Sequence, residues 1–326
     1  MLLAGDLGAT KTLLGLFRRA PLRPTPVVVK SFLTASHPHL VDMIDAFLHE
    51  QRGKHPNIEA ACFGVAGPVI DGRAEIVNVG WTVDGRELAD ALDLGRVPVL
   101  NDLVSIAHAI AVLEPDELHT LQEGTPNRSG NAGLIAAGTG LGEAFLFPAG
   151  SRLVPAPSEG GHADFAPRTP RERELAAWLT ERYGRAEVEA VVSGLGLRNL
   201  YAFTHDTPCT PLEVDGRPVD LAATVSTRGA SGTCAACQEA LQIFVAAYGA
   251  EAGNMALRAV TTRGLYVAGG IAPKLLPSLA HGGFLDAFRD KPPMRELLER
   301  IPVHVVLNHE VGIIGAAVVA NAELHA

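Results

Sequence analysis

Cysteine is scarce: four residues in 326, two of them only three apart, too few and too scattered for a disulfide framework. A reducing compartment is expected. Membrane-length apolar runs are missing as well. No stretch approaches the roughly 18 uncharged apolar residues of a spanning helix, and the opening MLLAGDLGAT carries an acid where a secretory leader would be apolar. The expectation is a soluble, cytoplasmic protein that does not engage a membrane. Basic charge is in deficit, with 27 Lys+Arg against 36 Asp+Glu, a net charge of −9 and a pI near 5.7. No basic run tracks a phosphate backbone, so nucleic acid is not an expected partner. What the chain does have is apolar bulk. Hydrophobic residues make up 47%, charged ones 19%, and mean hydropathy is +0.18, which excludes disorder. Its 326 residues exceed what one core normally holds and predict two lobes.

The opening segment reads as strand, glycine turn, strand: LLAG, DLGAT, KTLLGLF. A helix is expected between Ser36 and Gly53, with Val41, Ile44, Phe47 and Leu48 on one face, and a buried strand over Ala60–Val65. Arg86–Leu94 reads as a helix and Val97–Leu100 as a strand that ends at Asn101 and Asp102. The opening pattern recurs about 130 residues later as LIAAG, the turn Gly138–Gly142 and EAFLF, suggesting two lobes related by duplication. Thr169-Pro170-Arg171-Glu172 is a capping box opening a helix that Gly184 closes. A short helix is expected over Glu187–Val192 and a long, largely buried one from about Cys234 to Val260. Leu265–Ala268 is read as a strand that meets Gly269-Gly270 and turns into another helix, Val303–Leu307 as a strand, and Val311–Asn321 as a helix of small residues. Alternating strands and helices make the fold class α/β.

Three glycine turns follow buried strands: Gly5–Thr10, Gly138–Gly142 and Gly269-Gly270. Each is either a tight turn needing positive φ or a place where backbone amides approach an anion, with Thr10 and Thr139 adding hydroxyls. Neither a Walker A loop nor a helix-opening G-x-G-x-x-G is present. Asp6, beside such a cradle, is either a magnesium ligand or an acid organising its own loop. Asn101 and Asp102 are polar residues just past a buried strand, and on its own Asp102 reads as an acid capping the following helix. Cys234 and Cys237 form the one C-x-x-C. A structural zinc needs four ligands and no second Cys or His pair lies at metal spacing, so both are read as small buried residues and no zinc is expected.

GDLGATKT at 5–12, LND at 100–102, AAGTGLG at 136–142, SEGGHADFAP at 158–167, EAVVSG at 189–194 and AGGIAP at 268–273 resemble the bacterial glucokinases of the hexokinase/actin/Hsp70 ATPase superfamily. The resemblance implies a two-lobed actin-like ATPase (ribonuclease H-like) fold with a central cleft. The smaller lobe would hold residues 1–112 plus 308–326, and the larger lobe 113–307. It implies ATP-dependent phosphorylation of glucose at its 6-hydroxyl, with magnesium and a homodimeric assembly. Asp102 resembles the catalytic base, and Asn78, Asn101, Glu159, His162 and Glu189 the other sugar ligands. Asp6, Gly8, Ala9, Thr10 and Lys11 resemble the first phosphate segment, with Asp6 holding magnesium through water. Gly138, Thr139 and Gly140 resemble the second, and Gly269 and Gly270 the segment near adenosine. Ala9 stands where a glycine is usual, Lys11 where many relatives have asparagine, and Val77 where threonine is common. The alternatives are a kinase for mannose or N-acetylglucosamine, a non-catalytic sugar-sensing regulator, and an actin-like ATPase with no sugar, against which the SEGGHADF segment speaks. The chain starts at its first strand, leaving no room for a preceding helix-turn-helix, and Asp102 would be superfluous in a pure sensor.

Overall fold

A computed structural model describes residues 1–51, 57–76, 79–150, 152–214 and 216–324. The chain divides into two compact units: Met1–Pro115 with Ala149–Pro157 and Asn308–Ala326, and Asp116–Pro148 with Ser158–Leu307.

The first unit is built on β1 (Leu2–Leu7), β2 (Lys11–Arg18), β3 (Thr25–Leu33), β4 (Ala60–Val65) and β7 (Val99–Asn101), in the order β3-β2-β1-β4-β7. β1 runs antiparallel to β2 and parallel to β4, which is parallel to β7. β4 is buried at every residue and β1 at all but Asp6, as parallel strands covered on both faces must be. One face is covered by α1 (Leu40–Glu50), whose Leu40, Met43, Ile44 and Phe47 recur at helical spacing and join Leu3, Leu7 and Phe63. The other is covered by α11 (Val311–Glu323), where Ile313, Ala316, Ala317 and Ala320 meet Leu2, Ala4, Phe17 and Cys62. The hairpin β5 (Arg73–Ile76) and β6 (Trp81–Asp84), α2 (Gly85–Leu92) and α3 (Asp102–Ile110) complete the unit, together with most of β11 (Arg152–Ser158). Register aligns Asp6 with Gly64 and Val65 with Asn101, so Asp6, Asn101 and Asp102 all lie at the carboxyl end of the parallel strands.

The second unit repeats the same pattern. β9 (Ala132–Ala137) runs antiparallel to β10 (Leu141–Ala149) and parallel to β14 (Gly264–Ala268), and β14 is parallel to β15 (Val303–Val306). Its order β10-β9-β14-β15 matches β2-β1-β4-β7, so the recurring strand–turn–strand pattern has the same topological setting in both units. β8 (Leu118–Gln122) adds an antiparallel strand beyond β15. The helices are α4 (Pro170–Tyr183), α5 (Gly194–Thr204), α6 (Leu221–Ala230), α7 (Ala235–Ala259), α8 (Leu276–Ala280), α9 (Gly283–Arg289) and α10 (Arg295–Glu299), with a small hairpin of β12 (Glu213–Val214) and β13 (Arg217–Pro218). α4 opens with the expected capping box and ends at Gly184 in the left-handed conformation. α7 is buried on most sides, and Phe244, Tyr248 and Met255 anchor it in the core with Ile135, Leu265 and Val267.

Three expectations need correction. Glu187–Val192 closes one turn rather than a helix: Val191 N and Val192 N fold back on Val188 O (2.9 and 2.8 Å), but Ser193 is extended and caps α5, so the turn is not continued. Asp6 belongs to β1 and not to the turn after it. The segment after Gly269-Gly270 turns repeatedly before α8 begins at Leu276.

Candidate active site

In the first unit, β1 and β2 are joined by the turn Gly8–Thr10. Gly8 N donates to Lys11 O (3.0 Å), and the Thr34 hydroxyl donates to Gly8 O (2.8 Å), pinning the turn from β3's side. Thr10 and Lys11 stay exposed, while Gly8 and Ala9 are half-buried. Asp6 lies just behind, against the first turn of α11. A side chain at Gly312 would meet Asp6 Oδ2 at 2.5 Å, so glycine is what lets the carboxylate sit over the electropositive helix start. Burial raises the Asp6 carboxyl to about 6, the charge of Asp102 adds to the rise, and Lys11 opposes it. Two acids are thus within electrostatic reach of each other beside an amide-lined turn.

Asn101 is the cap of α3. Its Oδ1 accepts from Leu103 N (3.0 Å) and Val104 N (3.3 Å), and its Nδ2 donates to Gly67 O (3.0 Å). The side-chain capping expected as one use of Asp102 therefore falls to Asn101, and Asp102 becomes the first helical residue, half-buried, with Oδ1 accepting from Leu103 N (2.8 Å). Asn78, with Val77, lies outside the described residues.

In the second unit the turn after β9 is interlocked with two other segments. Gly138 N donates to Gly140 O (2.8 Å), and Gly194 N, at the start of α5, donates to Gly138 O (2.8 Å). Glu189 Oε2 accepts from Leu141 N (2.7 Å), and a side chain at Gly140 would strike that same oxygen at 2.5 Å. The Glu159–His162 turn is fastened to Glu189 by the Glu189 N to Gly161 O bond. His162 Nδ1 lies 3.3 Å from Glu187 Oε2, and one donor atom from each of His162, Glu187 and Glu189 lies within 4.8 Å of the others. Glu159 stands exposed at the head of the same turn. Gly269 and Gly270 follow β14, and Ile271 N returns to Ala137 O (3.2 Å), which brings the third glycine turn beside the second. A cavity of about 1100 Å³ opens there, lined by Gly138, Thr139, Gly140, Arg198, Asp220 and Lys274 among others.

Two acids were not singled out from sequence. Glu187 holds His162. Glu143, in β10, is fully buried beneath the Glu159–His162 turn, close enough that a side chain at Gly160 would collide with its carboxylate. Neither Glu143 oxygen has a hydrogen-bond partner among the described residues, and burial, reinforced by the charge of Glu251, pushes its carboxyl up to about 8. The signal for it was an acid in the apolar alternation of EAFLF.

Comparison with known proteins places the chain in a family. The family model described as glucokinase matches residues 3–323. A glucokinase of Synechocystis sp. is 39% identical over 98% of this chain and 97% of its own, and one of Mesorhizobium japonicum is 33% identical over 98% and 91%. Among solved structures, a glucokinase from an Antarctic psychrotroph superposes with a TM-score of 0.86 at 26% identity, covering 98% of both chains. A glucokinase of Balamuthia mandrillaris in complex with glucose shares the fold, with a TM-score of 0.80 at 22% identity over 98% of this chain and 93% of that one. Because these matches span both units and every glycine turn and acid described above, the chain belongs to the glucokinase family.

Proposed function

We propose that the protein transfers the γ-phosphoryl group of ATP to the 6-hydroxyl of glucose, giving glucose 6-phosphate. The observation that carries this reading is the placement of Asp102. It opens α3 at the carboxyl end of the sheet, within electrostatic reach of Asp6, while Asn101 caps the helix. A carboxylate so fixed can accept the 6-hydroxyl proton as the oxygen attacks, a contribution of about 10²- to 10⁴-fold in rate. Asn101 holds the helix start, and through Gly67 the preceding loop, in register with Asp102. Glu189, its orientation fixed by Leu141 N, accepts from sugar hydroxyls, together with Glu159 and His162, which Glu187 steadies.

The two glycine turns offer phosphates the backbone at Ala9–Thr10 in one unit and Thr139–Gly140 in the other, the amides of Gly8 and Gly138 being taken up by Lys11 O and Gly140 O, and the cavity beside Gly269 and Gly270 suits an adenosine. The donor set also fits magnesium, since the sunken Asp6 carboxylate is a hard oxygen ligand whose charge calls for a cation. When bound, magnesium neutralises charge developing on the phosphate oxygens. Sugar ligands in both units fit two lobes, 1–112 plus 308–326 and 113–307, that close an actin-like cleft on glucose. A cytoplasmic homodimer completes the reading, and among the described residues no helix is long and apolar enough to cross a membrane.

A coupled assay with ATP, magnesium and a panel of hexoses tests the proposal. Glucose should give the highest kcat/KM. A higher value for mannose or N-acetylglucosamine would reassign the substrate, and no turnover with any hexose would favour a sensor.

A further inference from the structure

The sequence offers Cys234 and Cys237 as an isolated pair, but the fold supplies the missing partners. His205 lies at the end of α5, Cys209 in the loop beyond it, and Cys234 and Cys237 at the start of α7. One donor atom from each of the four lies within 4.8 Å of all the others. The expectation of a pair without further ligands is thus corrected: His205-x₃-Cys209 is the second half, overlooked because it sits 25 residues upstream of Cys234. We propose that His205, Cys209, Cys234 and Cys237 form a tetrahedral Cys₃His site for a structural zinc-class cation that ties the end of α5 to the start of α7.

Geometry is the first argument. With Zn–S of about 2.3 Å and Zn–N of about 2.0 Å, tetrahedral angles place sulfurs about 3.8 Å apart and sulfur and nitrogen about 3.5 Å apart. Cys209 Sγ and Cys237 Sγ are 3.6 Å apart, and His205 Nε2 is 3.4 Å from Cys234 Sγ and 3.5 Å from Cys237 Sγ. A disulfide would need about 2.05 Å. The surrounding groups are the second argument, because they prepare the ligands. His205 Nδ1 lies 2.9 Å from Tyr201 O, a carbonyl that can only accept, so Nδ1 carries the proton and Nε2 presents its lone pair to the sulfurs. The Tyr201 ring stacks on the imidazole at 3.9 Å, and Cys209 N donates to Tyr201 Oη (3.0 Å). Cys234 caps α7, its Sγ facing Cys237 N at 3.5 Å, so the helix start favours a thiolate. Three thiolates and one divalent cation leave one net negative charge, and Arg228 lies beside it with its Nη1 donating to Cys209 O (2.7 Å).

Arg228 is on α6, which together with Asp220 lines the cavity next to Gly138–Gly140. The cation would therefore brace one wall of that cavity, a consequence that rests on the nucleotide reading above, whereas the metal site itself does not.

The test is metal content. Protein purified without chelators or immobilised metal should carry about one zinc per chain by elemental analysis and native mass spectrometry. Cobalt added to the stripped, reduced protein should give tetrahedral d–d bands and a thiolate-to-cobalt charge-transfer band. Cys209→Ser with Cys237→Ser should lower zinc at least tenfold. His205→Cys should keep the metal and shift the cobalt bands, which separates ligation from a folding defect. Less than about a tenth of an equivalent of metal, both as purified and after zinc or cobalt is added under reducing conditions, would overturn the proposal. So would full zinc retention in the double variant, or a Cys209–Cys237 disulfide in freshly isolated protein. A rise in KM for ATP larger than that for glucose in the stripped enzyme would support the brace, and equal KM values before and after stripping would overturn it.

Discussion

Gly140→Ala isolates the role of Glu189. The new methyl would stand 2.5 Å from Glu189 Oε2, too close to coexist, but the obstructing atom is the end of a flexible side chain. The carboxylate should swing away, giving up its 2.7 Å bond from Leu141 N, while the fold stays intact. Hydrogen bonds to charged groups are worth about 1.5–3 kcal/mol, and about 1.4 kcal/mol is tenfold. Losing the aimed carboxylate should therefore lower kcat/KM for glucose by about 10- to 150-fold, with the thermal midpoint shifted by no more than a few degrees. Because Gly140 also belongs to a proposed phosphate turn, a double-mutant cycle with Glu189→Ala is the decisive form of the assay. If the methyl acts through Glu189, adding Gly140→Ala to Glu189→Ala should cost little more. A single variant within twofold of wild type, or fully additive losses, would refute the reasoning.

Other consequences can be measured directly. The Glu143 carboxyl has a folded-state value of about 8 against an ordinary 4.5, so its contribution to stability is full below about pH 4.5 and is lost as pH rises through about 8. At about 1.4 kcal/mol per tenfold in proton affinity this amounts to a few kcal/mol, and Glu143→Gln should flatten the fall in thermal midpoint between pH 5 and pH 9. Asp6 should become protonated as pH falls through about 6, raising the magnesium concentration needed for half-maximal activity, and a requirement that stays flat from pH 7.5 to 5.5 would contradict its role. Thr169→Ala removes one bond of the capping box and should cost about 1 kcal/mol in denaturant melts without changing KM for either substrate.

What could be read from sequence was local or fully buried. Ala60–Val65 and Ala132–Ala137 are covered on both faces, so they appear as uninterrupted apolar runs. The α4 box lies within four residues, from Thr169 to Glu172. β3 and β8, by contrast, lie at sheet edges and are mostly exposed or half-buried, leaving weak patterns that sequence analysis passed over. Glu187–Val192 has helical composition and closes one turn on Val188 O, but the extended Ser193 ends it to cap α5, while Ala163 and Gly161 anchor its first amides from a distant segment. The site follows the same division. The glycine turns and the acids in the quoted motifs are consecutive in sequence, whereas the burial of Glu143 beneath Gly160 and the meeting of His205 and Cys209 with Cys234 and Cys237 arise only when separate elements pack.

The central claim is that Asp102 accepts the proton during phosphoryl transfer, and Asp102→Asn tests it most directly. The amide oxygen can still accept from Leu103 N, so helix and pocket should persist, but the proton has no acceptor. Rapid-quench measurement of glucose 6-phosphate formation, paired with glucose binding by calorimetry, should show turnover reduced about 10²- to 10⁴-fold with Kd for glucose changed only a few-fold. Turnover above about a tenth of wild type, at unchanged glucose affinity, would contradict the account.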